Sequence, residues 1–186
     1  MDTIRFFKDL AKARLKQRRA AGHDGSALQR TQHEVAVDAG FRSWGDMLAS
    51  GEDERDLAAL MLREPTLNWA GFGPGDFAKT RSERDAQFAQ WRVELRESAD
   101  HVAQLREWLV NNADPRKTVN DRAYSYKLKH LAEEELGSYV SNGEIIAAAI
   151  LAGYSYEDVG LNANFGISQY SMKALEERRR ARRGHR

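Results

Sequence analysis

Residues 82–112 read SERDAQFAQWRVELRESADHVAQLREWLVNN, and this stretch decides the predicted fold. Its apolar side chains recur in steps of three and four residues, with Ser98 filling one of the positions: Phe88, Trp91, Leu95, Val102, Leu105 and Leu109. Such spacing is typical of a helix with one apolar seam. At 1.5 Å per residue, the stretch predicts a continuous helix of roughly 45 Å.

The apolar seam of this long helix allows two packing arrangements. In the first, the helix lies at the centre of its own chain, which covers the seam along one side. In the second, the seam contacts another copy of the protein and forms a homodimer through residues 82–112. Both arrangements stay open at the level of sequence.

The remaining sequence also predicts helices and no sheet. Helical spacing of apolar residues runs from about residue 2 to 21, where Gly22 follows as a stop signal. Residues 145–152, IIAAAILA, are apolar on every side, which predicts a helix at the centre of the C-terminal half. No run alternates apolar and polar residues with the Val, Ile and Thr content of strands. The predicted fold class is therefore all-α, with two small helical halves joined by an aromatic Gly/Pro loop and one long central helix.

Residues 64–81 separate the two halves. They are rich in glycine and contain the rings of Trp69, Phe72 and Phe77, which are too apolar for a free linker. The predicted organisation is an N-terminal helical module (1–63), an ordered loop (64–81), the long central helix (82–112) and a C-terminal helical domain with a basic tail (113–186).

Composition excludes several classes of protein. The 186 residues include no cysteine, which rules out disulfides, thiolate zinc sites and thiol catalysis. No apolar run approaches the roughly 20 residues that a membrane span needs, and residues 1–10 lack the apolar core of a signal peptide. We therefore expect a cytoplasmic protein without a membrane partner.

The residues contain no recognisable catalytic or metal-binding motif. The five histidines lack the spacing of a helical zinc site, and no serine lies in a Gly-x-Ser-x-Gly turn. Glu133, Glu134 and Glu135 are consecutive on a predicted helix, so we expect them to point in different directions and to form a solvated face. We predict a non-enzymatic protein with no catalytic residues, no metal site and no cofactor. An unrecognised enzyme is the alternative, and a cleft with strongly perturbed carboxylates or histidines would favour it.

Positive charge is concentrated at the C-terminus. The whole chain has a net charge of +1, whereas residues 173–186 hold seven basic and two acidic residues, a net +5. This end of the chain would attract a polyanion. On a helix its arginines spread around the circumference and are expected to contact phosphates: Arg178, Arg179, Arg180, Arg182 and Arg183. A solvated tail and a contact with an acidic protein partner are the alternatives.

The segment in front of these arginines resembles a helix-turn-helix. Phe165-Gly166-Ile167-Ser168 has the form of its turn, in which Gly166 takes the left-handed conformation and Ser168 caps the second helix. The short first helix is expected to begin at Ser155. Three side chains would then project toward a DNA groove near the start of the second helix: Gln169, Tyr170 and Lys173. An ordinary helical corner has the same packing needs and is the alternative.

Two further resemblances concern other parts of the chain. Residues 23–49, with QHE at 32–34 and GFRSW at 40–44, resemble a small helical module that is often described as glyoxalase-related in bacterial proteins. This resemblance implies two helices joined by a glycine-aromatic turn, and no active site. Residues 126–153, with SYVSNG at 138–143, are similar to uncharacterised proteins of plasmids and phages, which implies a mobile-element context.

Together these features predict an accessory protein of a bacterial mobile element that binds nucleic acid or a nucleoprotein complex through its C-terminal half. The alternative is a stoichiometric inhibitor of a host defence complex, similar to anti-CRISPR proteins, that contacts a host protein through the aromatic loop or the acidic residues 51–110. An exposed cationic face would favour nucleic acid, whereas arginines paired with the glutamates at 133–135 would not.

Overall fold

The computed structural model describes residues 2–22, 27–74 and 80–184. The chain divides into two compact units, Met1–Pro65 and Thr66–Arg186. Phe77 of the aromatic loop and two of the five histidines, His23 and His185, lie outside the described ranges.

Four helices form the described part of the N-terminal unit: α1 (Thr3–Ala20), α2 (Leu28–Asp38), α3 (Trp44–Ala49) and α4 (Glu52–Arg63). Asp2 caps α1, because its carboxylate accepts a hydrogen bond of 2.9 Å from the N–H of Arg5. Phe7 of α1 and Phe41, which follows α2, contact edge to face in the buried core, with ring centroids 6.2 Å apart. The helix predicted from residue 2 to 21 is confirmed as α1.

The described part of the C-terminal unit contains helices and strands. Its helices are α5 (Arg81–Glu97), α6 (Ala99–Asn112), α7 (Ser125–Leu136), α8 (Asn142–Leu151) and α9 (Gln169–Gly184). Its strands are β1 (Leu67–Asn68), β2 (Gly71–Phe72), β3 (Pro115–Tyr124), β4 (Tyr156–Val159) and β5 (Asn162–Ile167). The strands form two small antiparallel sheets, so the all-α fold class is wrong and the protein is mixed α and β.

The two sheets differ in how their strands are connected. β1 and β2 form a short hairpin inside the predicted ordered loop, in which Leu67 pairs with Phe72. The larger sheet has the order β3-β5-β4. β4 and β5 are joined by a tight turn at Gly160 and Leu161. β3 and β5, in contrast, are separated along the chain by α7, α8 and β4.

The sequence did not predict the strand β3, because the strand is polar and pairs with residues far away in the chain. Its sequence is PRKTVNDRAY, and only Asn120 and Ala123 are buried in this edge strand. Its pairing with β5 joins residues far apart in the chain, such as Pro115 and Ile167, and the register shifts twice. Apolar periodicity within one window detects neither feature.

The predicted long central helix is interrupted at Ser98. There the chain leaves α5 and enters α6, and the Ser98 hydroxyl donates a hydrogen bond of 2.9 Å to the carbonyl of Leu95. A serine that bonds to its own backbone competes with the helical pattern, which explains why one continuous helix is wrong. Four residues of the predicted seam are buried within the chain, as the intrachain arrangement predicts: Leu95, Val102, Leu105 and Leu109.

The predicted helix-turn-helix corner contains a hairpin instead of a first helix. Residues 156–159 and 162–167 are the strands β4 and β5, so the helix expected from Ser155 is wrong. Gly166 does not adopt the left-handed conformation. A Cβ at residue 166 would lie 2.1 Å from Ser155 Oγ and 2.4 Å from the carbonyl oxygen of Arg116, so close packing of the chain requires the glycine. Ser168 does cap α9, since its hydroxyl accepts a hydrogen bond of 3.0 Å from the N–H of Ser171.

Helix α8 lies at the centre of the C-terminal unit, which confirms the prediction from its composition. Residues 145–149 are fully buried.

After α8, Tyr154 donates a hydrogen bond of 3.0 Å to the carbonyl of Leu109, and burial beside the negative charge of Asp114 raises the pKa of Tyr154 to about 12. Among the described residues, no helix combines the length and the apolar composition that crossing a membrane requires.

The close approach at Gly166 can be tested by one methyl group. We expect Gly166→Ala to lower the free energy of unfolding by about 1–3 kcal/mol, because the added atom overlaps the backbone of Arg116. Chemical denaturation followed by circular dichroism measures the change. Gly184→Ala is the matched control, since a Cβ there meets no atom within 4 Å. Equal midpoints for the two variants would contradict the packing of β5 described above.

Candidate functional site

Glu134 on α7 binds two arginines of the basic tail. Arg179 Nε donates to Glu134 Oε1 at 2.9 Å, and Arg183 also donates to that oxygen at the end of α9. The side chain of Glu134 is 28 % exposed. These hydrogen bonds favour the ionised carboxylate, so they hold the pKa of Glu134 below its ordinary value despite the opposing effect of partial burial.

Glu135 binds the two other arginines that face α7. Arg178 Nε donates to Glu135 Oε1 at 2.9 Å, and a nitrogen of Arg182 lies 3.7 Å from the same oxygen. Trp108 of α6 donates its indole N–H to the second oxygen at 2.7 Å. Arg178 also donates to Asn112 at 2.7 Å. We call the contacts of Glu134 and Glu135 with these four arginines the α7–α9 network.

Glu133 points away from this network. Burial acts to raise the pKa of Glu133, but hydrogen bonds from the N–H of Val140 and from the side chains of Lys129 and His130 outweigh it and hold the pKa below its ordinary value. Lys129 Nζ lies 3.2 Å from Glu133 and His130 Nδ1 lies 2.7 Å from it. The three consecutive glutamates therefore point in different directions, as predicted, but the predicted solvated face is wrong because each carboxylate binds a partner.

The eight residues predicted to bind nucleic acid or a partner do not form one surface. Four of them belong to the α7–α9 network: Arg178, Arg179, Arg182 and Arg183. The other four are exposed: Gln169, Tyr170, Lys173 and Arg180. Tyr170, Lys173 and Arg180 lie on one exposed stripe of α9 together with Glu177, whose negative charge lowers the net charge of the stripe.

Two exposed tyrosines contact one buried lysine. Lys129 Nζ is 4.8 Å from the ring centroid of Tyr139 and 5.7 Å from that of Tyr126. Tyr139 stacks on Trp69, and Tyr126 contacts His130 edge to face. The tyrosines remain 52 % (Tyr126) and 65 % (Tyr139) exposed. We call these three residues the Tyr126–Lys129–Tyr139 surface, and their cation–π contacts hold both rings in place.

An open cleft of about 950 Å³ lies between the end of α9 and the turn that follows α7. Its lining includes two arginines of the α7–α9 network together with Ser138 and Tyr139. The lining residues are Glu133, Glu134, Gly137, Ser138, Tyr139, Ala181, Arg182 and Arg183. The cleft therefore combines a hydroxyl, an aromatic ring and groups of both charges.

Ser138 contacts a histidine that is in turn held by a buried carboxylate. His101 Nε2 of α6 lies 3.4 Å from Ser138 Oγ, and His101 Nδ1 lies 2.9 Å from Glu144 Oε1. The side chain of Glu144 is 1 % exposed, and its other oxygen accepts a hydrogen bond of 2.7 Å from the N–H of Ser141. Glu144 belongs to the capping box at the start of α8, so one of its oxygens binds the N–H of Ser141 and the other is left for His101.

The sequence contained no signal for this grouping. His101 lies on α6, and tertiary packing alone brings it to the turn after α7 and the start of α8. Ser138 is not in a nucleophile elbow, so no motif pointed to it. In the described part of the chain, no group of three or more His, Cys, Asp or Glu residues is arranged to hold a metal ion.

Comparison of the chain with protein-family models, with curated proteins and with solved structures finds no match. The resemblances to a glyoxalase-related module and to plasmid and phage proteins therefore stay predictions.

The α7–α9 network predicts a pH-dependent contribution to stability. Glu134→Gln should lower the free energy of unfolding at pH 7 by about 0.5–1 kcal/mol, because the ion pairs are partly exposed. A lowered pKa in the folded protein means that the carboxylate stabilises the fold above the unfolded pKa of about 4.3, and that this effect is lost as pH falls through the folded pKa. The difference in the free energy of unfolding between wild type and variant should therefore shrink as the pH falls toward roughly 3. Chemical denaturation at several pH values measures this difference.

Glu177→Gln is the control for this prediction, since Glu177 is exposed on α9 and makes no ion pair within the described residues. It removes the same charge without removing a contact. A Glu134→Gln variant that is as stable as wild type at pH 7 and low salt would show that the network does not hold α9 to α7.

Proposed function

We propose that this protein is an accessory protein of a bacterial mobile element that binds a protein partner, alone or within a nucleoprotein complex, through the Tyr126–Lys129–Tyr139 surface. The observation that carries the proposal is the pair of exposed tyrosines whose rings both contact Lys129. Inhibition of a host defence complex is one role that such binding would serve.

The tyrosine pair has the properties of a protein-binding hot spot. Tyrosine supplies a large contact area with few rotatable bonds, and ordering it beforehand lowers the entropic cost of association. Here Tyr139 is ordered by Trp69 and Lys129, and Tyr126 by Lys129 and His130. Glu133 offsets the charge of Lys129, so the surface offers rings and hydroxyls rather than a concentrated charge.

The α7–α9 network argues against naked nucleic acid as the main ligand. Four guanidinium groups that were expected to bind phosphates already bind carboxylates of α7. Those carboxylates already neutralise part of the charge that phosphates would otherwise meet, which reduces the gain from each contact. The exposed stripe of Tyr170, Lys173 and Arg180 also includes Glu177, so it lacks the charge density of a polyanion site.

Partner binding can be tested with two tyrosine substitutions. Wild-type protein should retain a stoichiometric protein from a nuclease-treated bacterial host lysate, and the Tyr126→Ala, Tyr139→Ala double variant should retain at least roughly tenfold less, as expected for hot-spot residues. Tyr170→Ala is the matched control, because Tyr170 is 80 % exposed and lies on α9 outside this surface. Quantitative gel analysis of the retained fraction gives the measurement.

Three results would overturn the proposed function. The first is that no partner is retained, and the second is a retained partner whose amount falls equally with Tyr170→Ala. The third is a gel shift of duplex or single-stranded nucleic acid at low salt that requires Lys173 and Arg180, which would establish the nucleic-acid alternative.

A further inference from the structure

We propose that Ser138 is the nucleophile of a hydrolytic site, with His101 as its general base and Glu144 as a positioning residue. This inference goes beyond the proposed partner binding and does not rest on it. The three residues come from the turn after α7, from α6 and from the start of α8, and their contacts form a continuous chain from an exposed hydroxyl to a buried carboxylate.

Glu144 holds the imidazole in the orientation that a base needs. Its carboxylate cannot rotate freely, because one oxygen is bound to the N–H of Ser141 and the side chain is buried. The other oxygen accepts the Nδ1–H of His101 at 2.9 Å, which selects the tautomer with an unprotonated Nε2. That nitrogen faces Ser138 Oγ at 3.4 Å, a contact that tightens in such sites when substrate binds.

The turn that carries Ser138 also supplies donors for an oxyanion. The backbone N–H groups of Ser138 and Tyr139 donate no hydrogen bond within the described part of the chain. In hydrolases with a serine nucleophile, the N–H of the following residue is a usual donor to the negative oxygen of the tetrahedral intermediate. The N–H of Tyr139 occupies that position here.

The cleft next to Ser138 indicates the class of substrate. Arg182 and Arg183 line the same cleft as the serine, and their side chains are 49 % and 64 % exposed although each contacts a glutamate. A guanidinium group has five N–H donors, so one that already contacts a glutamate can bind a second carboxylate. Tyr139 also lines the cleft. The geometry therefore points to a carboxylic ester whose acyl group ends in a carboxylate.

The reaction balances with water as the only co-substrate. Ser138 Oγ attacks the ester carbonyl while its proton moves to His101 Nε2, and the carbonyl electron pair moves to oxygen. The tetrahedral intermediate collapses, the bond to the alcohol oxygen breaks, and His101 returns the proton to that oxygen. Water then attacks the acyl-serine while its proton moves to His101. Collapse of this second intermediate breaks the bond to Ser138 Oγ, His101 gives the proton to that oxygen, and the carboxylic acid leaves.

A fluorophosphonate probe tests the nucleophile directly. Wild-type protein should become labelled at Ser138, identified by peptide mass spectrometry, and Ser138→Ala should abolish the label at this peptide. His101→Asn should slow labelling by roughly 100-fold or more, as expected for loss of a general base. Ser82→Ala is the matched control, since Ser82 is an exposed serine on α5 and its loss should leave the rate unchanged.

Glu144→Gln separates a positioning role from a structural one. Glutamine can still serve in the capping box, so thermal unfolding should stay close to wild type. Its amide N–H would face His101 Nδ1 and favour the tautomer with Nε2 protonated, which cannot accept the serine proton. The labelling rate should therefore fall roughly 100-fold or more although the fold is retained.

The substrate class is tested with two chromogenic esters, para-nitrophenyl acetate and the mono-para-nitrophenyl ester of succinate. The succinate ester should have the higher kcat/KM, and Arg182→Ala with Arg183→Ala should remove about a threefold to fivefold preference, as expected for exposed ion pairs. Arg180→Ala is the control, because Arg180 lies outside the cleft lining. An absent preference would overturn the assigned substrate class.

Absent labelling of Ser138, or labelling that His101→Asn does not slow in a variant that unfolds at the wild-type temperature, would overturn the proposed site. Neither result bears on the tyrosine variants, so the two proposals fail independently.

Discussion

Burial of helix α8 is the constraint on which the C-terminal unit depends. Its residues 145–149 have no exposed surface, and each isoleucine among them contributes about 1.5–3 kcal/mol when it leaves water. A helix that is apolar on all sides needs neighbours on all sides, and α6, α7, β5 and the hairpin of β1 and β2 supply them. Gly143 lets the hairpin approach, since a Cβ there would lie 1.9 Å from the carbonyl oxygen of Asn68.

Burying α8 also buries its polar N-terminus, and this has chemical consequences. The free backbone N–H groups at a helix start must be satisfied when water is excluded. Ser141 and Glu144 do so as a capping box, which places a carboxylate inside the protein with one oxygen left for another partner. His101 is that partner, and the turn that leads into α8 brings Ser138 to the other side of the imidazole. The same turn carries Tyr139, so one structural requirement organises both the aromatic surface and the serine.

The basic tail shows how a concentration of charge along the sequence differs from a charged surface. Residues 173–186 have a net charge of +5, but α9 packs on α7, where Glu134 and Glu135 receive four of the arginines. The glutamates interpreted as a solvated face and the arginines interpreted as a phosphate-binding tail are partners of each other. Each ion pair is partly exposed and individually weak, so the contacts orient α9 more than they stabilise the unit.

The sequence by itself determined the local elements whose apolar or capping residues lie within one window. The helix α1, the buried helix α8 and the cap of α9 at Ser168 are of this kind, because their hydrogen bonds and apolar faces are set by residues three or four positions apart. Only the tertiary structure decided the polar edge strand β3, the break at Ser98, the α7–α9 network and the meeting of His101 with Ser138 and Glu144. The β3 pairing, the α7–α9 network and the His101 contacts join residues from separate elements, so they arise from tertiary packing. The break at Ser98 depends on a side-chain bond that competes with an otherwise helical pattern.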